Sequence, residues 1–327
     1  AGPSPRDPHG RKARAYSFAA LVRIAGGAGD HEEVLRLLAE EAGVEAPDRC
    51  ALGIALEEDL TAVARDAGGA VVGRYLPRRP AVEIDPAALV PGDIAGALAG
   101  CELVDVLARP PVHGMPGLLG PEVAWRYLGH RRSRAGRGAG PRRRVVIADP
   151  IPPAELHLPR LAGWRGEPGD VELRGPAATP SAVAAALSGA SEIEIHAHGL
   201  VHPGMEDAAF LALSPDADGR FALTASRVRR LDLAGAPLVL LGACRATRSR
   251  SNLHARWSLP AAFVEAGASA VIASSEPIPD AQAADFFAAV RRRISEGQAA
   301  AAAVRDERMD RRDRPGGAWV DRVLVFE

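Results

Sequence analysis

From about residue 98 onward the chain repeats one pattern: a short run rich in Val, Ile and Leu, a turn, then a helix-forming stretch. Residues 102–108 (ELVDVLA), 143–150 (RRVVIADP), 191–199 (SEIEIHAHG), 236–244 (APLVLLGAC) and 269–274 (SAVIAS) read as strands. Residues 121–128, 178–189, 226–233, 259–268 and 280–308 read as helices. Thr179 and Pro180 supply an N-cap and a first helical residue, and Gly267 a stop. Strands separated by helices are joined by crossovers rather than tight hairpins, so neighbours run parallel. An α/β fold with a mostly parallel central sheet flanked by helices is therefore expected. FLALSP (210–215) and RFALT (220–224), joined through DADG, read as one hairpin, and WVDRVLVF (319–326) as a closing strand.

Residues 1–97 have a different texture and are expected to form a small, mainly helical region separate from 98–327. Residues 16–25 and 31–43 read as helices, the second with an apolar stripe of Val34, Leu35, Leu37 and Leu38 and Gly43 as its stop. Residues 50–66 read as a third helix. GAVVGRYL and PAVEID read as short strands. No chemistry-bearing cluster stands out here, which points to a cap or adaptor.

The composition excludes several classes. A net charge of −1 gives no overall attraction to nucleic acid or to a membrane surface. Two segments, 129–144 and 244–256, are arginine-rich but lack interleaved aromatic residues for stacking bases. They read as solvated loops or as a cleavable activation loop, and no nucleic-acid partner is expected. No run of about 18 apolar residues is present, so no membrane helix is expected. The three cysteines, Cys50, Cys101 and Cys244, are odd in number and lack metal-ligand spacing. No disulfide framework and no metal are therefore expected, which fits a reducing, cytoplasmic setting. No strand leads into a Gly-rich phosphate loop, which argues against a nucleotide-binding enzyme.

Reactive residues collect where functional groups in open α/β sheets gather, at the carboxyl ends of strands. EIEI runs into His196-Ala197-His198-Gly199, and PLVLLG into Ala243-Cys244-Arg245-Ala246. If these strands are parallel neighbours, His198 and Cys244 emerge on one rim. A thiol needs a nearby imidazole to become a thiolate at neutral pH, and that imidazole can then protonate a leaving amine. Gly199 lets its N–H approach a substrate carbonyl closely, and with the Cys244 N–H it would make an oxyanion hole. His196 is the second choice as base and is expected to point away from His198. Cys244 follows His198 by 46 positions, close to the roughly 50 that separate the two in caspases.

Taken in order, five segments over residues 98–327 resemble the CHAT family of caspase-like cysteine peptidases, relatives of caspases and separases. IHAHG is similar to the family's strand ending in His-Gly, and LVLLGACRAT to its Ala-Cys segment. AAFVEAGASAVIAS resembles its Ala-Gly-Ala helix and following strand. SSEPIPD and AWVDRVLVF resemble its Trp-led segments. The resemblance implies a caspase-like layered fold and a cysteine endopeptidase with a Cys-His dyad, Cys244 as nucleophile and His198 as base, and no cofactor. It also implies a protein substrate, an activating partner or upstream sensor, and a role in bacterial defence or programmed death, for instance by cleaving a gasdermin-like pore-former. Gly242 and Glu276 depart from the family's usual Ser and Trp. Because the corresponding region of separases helps recognise a basic P1 side chain, Glu276 and Asp280 are candidates for an S1 pocket that takes Arg or Lys. The other reading the resemblance allows is a non-catalytic CHAT scaffold that binds a protein partner.

Overall fold

The computed structural model of the chain describes residues 8–77, 85–131, 142–161, 164, 166–201, 209–243 and 258–327. They fall into two compact units, one within Ala1–His130 and one within Arg131–Ser249 and Trp257–Glu327.

In the first unit two helices, α1 (Pro8–Ala28) and α2 (His31–Ala42), precede the strands. Asp30 caps α2 by accepting a hydrogen bond from the Glu33 N–H, and Gly43 ends it at φ 73°. The Val34–Leu38 stripe is buried as expected. Residues 50–66 do not form a helix. They make an antiparallel hairpin of β1 (Ala51–Leu56) and β2 (Leu60–Arg65). Every residue of β1, and all but the last of β2, is buried, so the apolar run lacks the alternation by which a half-exposed strand is usually read. Gly53 is needed where α2 crosses the hairpin: a Cβ there would lie 2.7 Å from Val63 Cγ2 and 2.8 Å from Leu38 Cδ1.

The unit continues through β3 (Val71–Leu76), α3 (Gly92–Ala97), β4 (Val104–Ala108) and β5 (Trp125–Tyr127). The strand order is β3-β2-β1-β4-β5, with β1, β4 and β5 mutually parallel. Parallel pairing of β1 with β4 runs across the division expected at residue 97. The helix expected at 121–128 is a turn followed by β5, where Trp125 and Tyr127 point inward and the Tyr127 hydroxyl donates to the main chain of the segment after β4. Most of the strand expected at PAVEID lies outside the described residues. Cys50 and Cys101 are disulfide-bonded, with Cα atoms 5.6 Å apart. Each precedes one of two neighbouring parallel strands, a proximity that spacing alone does not reveal. The expectation of unpaired cysteines is thus overturned, and with it the argument for a reducing compartment. Among the described residues no helix is long and apolar enough to cross a membrane.

One buried cation holds this unit together. Arg109, just past β4, is 1% exposed. It donates to Glu41 Oε2 on α2 at 2.7 Å, to Glu57 Oε1 in the hairpin turn at 2.5 Å and to the Ala15 carbonyl on α1 at 2.7 Å.

The second unit contains β6 (Arg144–Ala148), β7 (Val171–Arg174), α4 (Pro180–Leu187), β8 (Glu192–His196), β9 (His198–Val201), β10 (Ala209–Ala212), β11 (Ala222–Thr224), α5 (Ala225–Arg229), β12 (Leu238–Gly242), α6 (Leu259–Ala266), β13 (Ala270–Ser274), α7 (Asp280–Ser295), α8 (Ala300–Arg311) and β14 (Val323–Phe326). Its larger sheet has the order β14-β13-β12-β8-β6-β7; all are parallel except β14, which runs antiparallel to β13. This is the expected parallel core. Thr179 caps α4 and Gly267 closes α6, both as the sequence indicates. β9, β10 and β11 form a separate antiparallel sheet.

Three boundaries differ from expectation. The strand read over 191–199 breaks at Ala197, so its last residues enter the small sheet. The helix read over 280–308 is two helices, parted at Gly297 with φ 98°. The closing strand begins only at Val323, after a 3-10 turn in which the Trp319 indole donates to Gln282 Oε1 at 3.0 Å.

Replacing Arg109 by Ala strands two carboxylates without their cation. Breaking a buried pair in this way costs about 3–5 kcal/mol, so a marked drop in the urea midpoint of the R109A variant is the expected result.

Candidate functional site

The site rests on the pairing of β8 with β12. Ile195 faces Leu241 and His196 faces Gly242, so the two parallel strands end at one level. One residue follows each, Ala197 and Ala243, both buried. His198 then opens β9, opposite Ala212 of β10, and Gly199 lies opposite Leu211. Cys244 is the next residue after Ala243 and lies outside the described residues.

His198 is half-buried, and its Nε2–H donates to the Pro159 carbonyl at 2.7 Å. A carbonyl oxygen only accepts, so Nε2 carries the proton. This tautomer places the ring's lone pair on Nδ1, the arrangement a general base requires. Pro159 is a partner the sequence reading missed. It sits 39 residues upstream and contributes a main-chain atom, for which no side-chain motif exists.

His196 behaves differently. A pleat of period two would put residues 196 and 198 on one face of an unbroken strand. The two are separated instead because the chain leaves the larger sheet between them. Glu192, Glu194 and His196 form a polar stripe on one face of β8, all buried. Arg144 on β6 bonds to Glu194, and its guanidinium lies 3.0 Å from Glu192 Oε1 and 2.6 Å from Asp170 Oδ2. Arg291 of α7 ion-pairs with Glu167 and lies 3.6 Å from Glu192. The His196 Nε2–H donates to Glu194 Oε1 at 3.0 Å, and its ring stacks on the Trp164 indole. Burial pushes this imidazole down to about 4, against the pull of the Glu194 carboxylate. Burial alone would raise Glu194, but His196 and Arg144 hold it ionised, near 2. A neutral ring shut off from solvent is a packing element, not a base.

The same ring accounts for the glycine at position 242. A Cβ at Gly242 would stand 2.3 Å from His196 Nδ1 and 2.8 Å from Cε1. The space that a serine would fill at 242 is taken by the imidazole. His196 Nδ1 is buried without a hydrogen-bond partner, because what faces it is the glycine itself.

Glu276 lies two residues beyond β13, half-buried. Its N–H donates to Ser274 Oγ at 3.2 Å, and that hydroxyl donates to the Glu276 carbonyl at 2.9 Å. Asp280 is the first residue of α7. Both follow the carboxyl end of the strand next to β12, the rim on which His198 emerges. Among the described residues no three His, Cys, Asp or Glu side chains converge as a metal site would need.

Two outcomes follow. Gly242→Ser destabilises the fold by about 1–3 kcal/mol through overpacking, and adding His196→Ala to it restores part of the loss, as denaturant unfolding of the single and double variants would measure. Stability also depends on pH through His196. Unfolded, the ring gains a proton below about 6.5; folded, only below about 4. Between these values the unfolded chain binds the extra proton, so stability falls as pH drops, by at most about 1.4 kcal/mol per pH unit. In His196→Gln this part of the slope disappears.

A family model described as the CHAT domain matches residues 116–317. No curated protein matches the chain. Among solved structures, the complex of the pro- and mature domains of RgpB from Porphyromonas gingivalis is similar at a TM-score of 0.43 and 11% identity, covering 96% of this chain and 76% of that one. The family match spans well over half of the chain and contains His198, Gly199, Cys244, Glu276 and Asp280, and this chain belongs to the CHAT domain family of caspase-like cysteine peptidases.

Proposed function

We propose that the chain is a cysteine endopeptidase that cleaves a protein substrate after a basic residue, using Cys244 and His198. The observation that carries this reading is the register of β8 with β12: His198 and Cys244 each follow by two residues a pair of directly opposed strand ends. The Nε2–H tautomer of His198, which puts the lone pair on Nδ1, supports its assignment as the base.

In this mechanism His198 Nδ1 takes the Cys244 thiol proton, and the thiolate sulfur attacks the scissile carbonyl carbon. The Gly199 and Cys244 N–H groups stabilise the oxyanion, a contribution of about 3–4 kcal/mol per donor. The C–N bond breaks as the imidazolium protonates the departing amine. Water, deprotonated by His198, then hydrolyses the thioester and regenerates the thiol. The Pro159 carbonyl favours the imidazolium stage, since a cationic ring is a stronger donor than a neutral one. Glu276 and Asp280 are the acids proposed to receive an Arg or Lys P1 side chain. The wider setting proposed from family membership is bacterial defence or programmed death, with a gasdermin-like pore-former as one kind of substrate and an activating partner upstream.

The test is turnover of fluorogenic peptides bearing Arg, Lys, Asp or Leu at P1. Cleavage after Arg or Lys is expected, abolished in Cys244→Ala and His198→Ala. In Glu276→Gln, kcat/KM for Arg substrates should fall by about tenfold or more, the scale of a lost charge-assisted hydrogen bond. Cleavage after Leu or Asp alone sinks the acidic S1 assignment and keeps the peptidase. If the natural partner is engaged without any cleavage, and Cys244→Ala changes nothing, the chain is a scaffold.

A further inference from the structure

His198 depends on a main-chain oxygen, and that oxygen must itself be held. Pro159 lies in the connection between β6 and β7. From Ile151 to Leu161 no residue of this connection is buried, so apolar packing does little to fix it. Near its start the Ile151 N–H donates to Ser214 Oγ at 2.7 Å. At its far end Arg160 reaches back across 11 residues to Asp149. The Arg160 Nε–H donates to Asp149 Oδ1 at 3.0 Å, and Nη2–H donates to Oδ2. This is the two-pronged guanidinium–carboxylate arrangement, which restricts orientation as well as distance.

Asp149 is well placed for such an anchor. It is the first residue after β6, which is parallel to β8 with Ile147 facing Ile195. Its backbone lies at φ 47°, a left-handed conformation that Asp and Asn adopt more readily than most residues. The carboxylate therefore projects from the end of a strand in the same sheet as β8. The Pro159 carbonyl belongs to the peptide bond that joins Pro159 to Arg160. Holding the Arg160 side chain against Asp149 thereby limits how far this carbonyl can turn away from His198.

We propose that the Asp149–Arg160 pair is a positioning device for the base: it presents the Pro159 carbonyl to His198 and so keeps the proton on Nε2 and the lone pair on Nδ1. The consequence for turnover rests on the peptidase reading above, but the consequence for the imidazole does not. In this role each acts on His198 through Pro159, as a positioning residue.

The experiment uses the full-length chain as wild type, Asp149→Asn, Arg160→Gln, the double variant, and Arg160→Lys as the conservative replacement. Asparagine tolerates the left-handed backbone and removes only the charge. Two readouts are taken: the tautomer of His198 from 15N–1H imidazole spectra, with the signal identified by its loss in His198→Gln, and kcat and KM on the best peptide. Wild type is expected in the Nε2–H tautomer. Asp149→Asn and Arg160→Gln should each give a mixture of tautomers and lower kcat by about fivefold with KM unchanged, the upper range for a partly exposed ion pair. The double variant should be no worse than either single, and Arg160→Lys should recover only part of the loss. An unchanged Nε2–H signal in all variants, with kcat intact, overturns the proposal and leaves the peptidase reading standing. A tautomer mixture in a chain whose wild type cleaves nothing does the reverse: the positioning role holds and the peptidase reading falls.

Discussion

The parallel contact between β8 and β12 is the constraint on which the site depends. Two strands that pair directly, in the same direction and ending at the same level, deliver their next residues to one rim without help from loop conformation. Here the last opposed pair is His196 with Gly242. The crossover rule makes such pairing the default for strands joined through helices. The register that aligns the ends is set by side chains on the strands themselves. Ile193 and Ile195 are buried on one face, and Glu192, Glu194 and His196 on the other. Because the pleat has period two, a shift of one residue would drive the apolar pair into the charged cluster and the carboxylates into the apolar layer.

That charged cluster is unusual for the interior of a sheet. Buried carboxylates are costly unless paired; here Arg144 pairs with Glu192, Glu194 and Asp170, and Arg291 lies beside Glu192, beneath Trp164 and α7. Such a network contributes less to net stability than an apolar layer of the same volume would, but it is directional and penalises misalignment. His196 completes it at the rim end, where Gly242 on the neighbouring strand makes room for the ring. Gly242 and the buried histidine are therefore mutually dependent: the ring occupies the space that a side chain at 242 would fill. In the first unit Arg109 performs a comparable task with one cation and three acceptors, drawing α1, α2 and the β1–β2 turn onto the end of β4.

Much of this is legible in the sequence. The strands at 143–150, 191–199, 236–244 and 269–274 stood out because parallel core strands are apolar on both faces and bounded by turns. Caps at Thr179 and Gly267 were readable because they are local chemistry. The same both-faces burial misled at 51–65, where ALGIAL and LTAVAR lack alternation and so resemble a buried helix. The break between β8 and β9 is not legible in the sequence because what changes there is the pairing partner, β12 and β6 giving way to β10. Glu192, Glu194 and His196 alternate as an exposed strand face would; only the cover supplied by α7 and Trp164 makes that face interior.

The sequence by itself determined the layered parallel fold, the order of its elements and the two strand ends that carry His198 and Cys244, because periodicity, capping and crossover handedness act over a few residues at a time. Tertiary structure decided what those residues meet: the Pro159 carbonyl on His198, the disulfide between Cys50 and Cys101, and the ring of His196 over Gly242. Each of these joins positions 39 to 51 residues apart. Such partners become neighbours only when the sheet is assembled, and a main-chain oxygen or the absence of a side chain leaves no mark of its purpose in the order of amino acids.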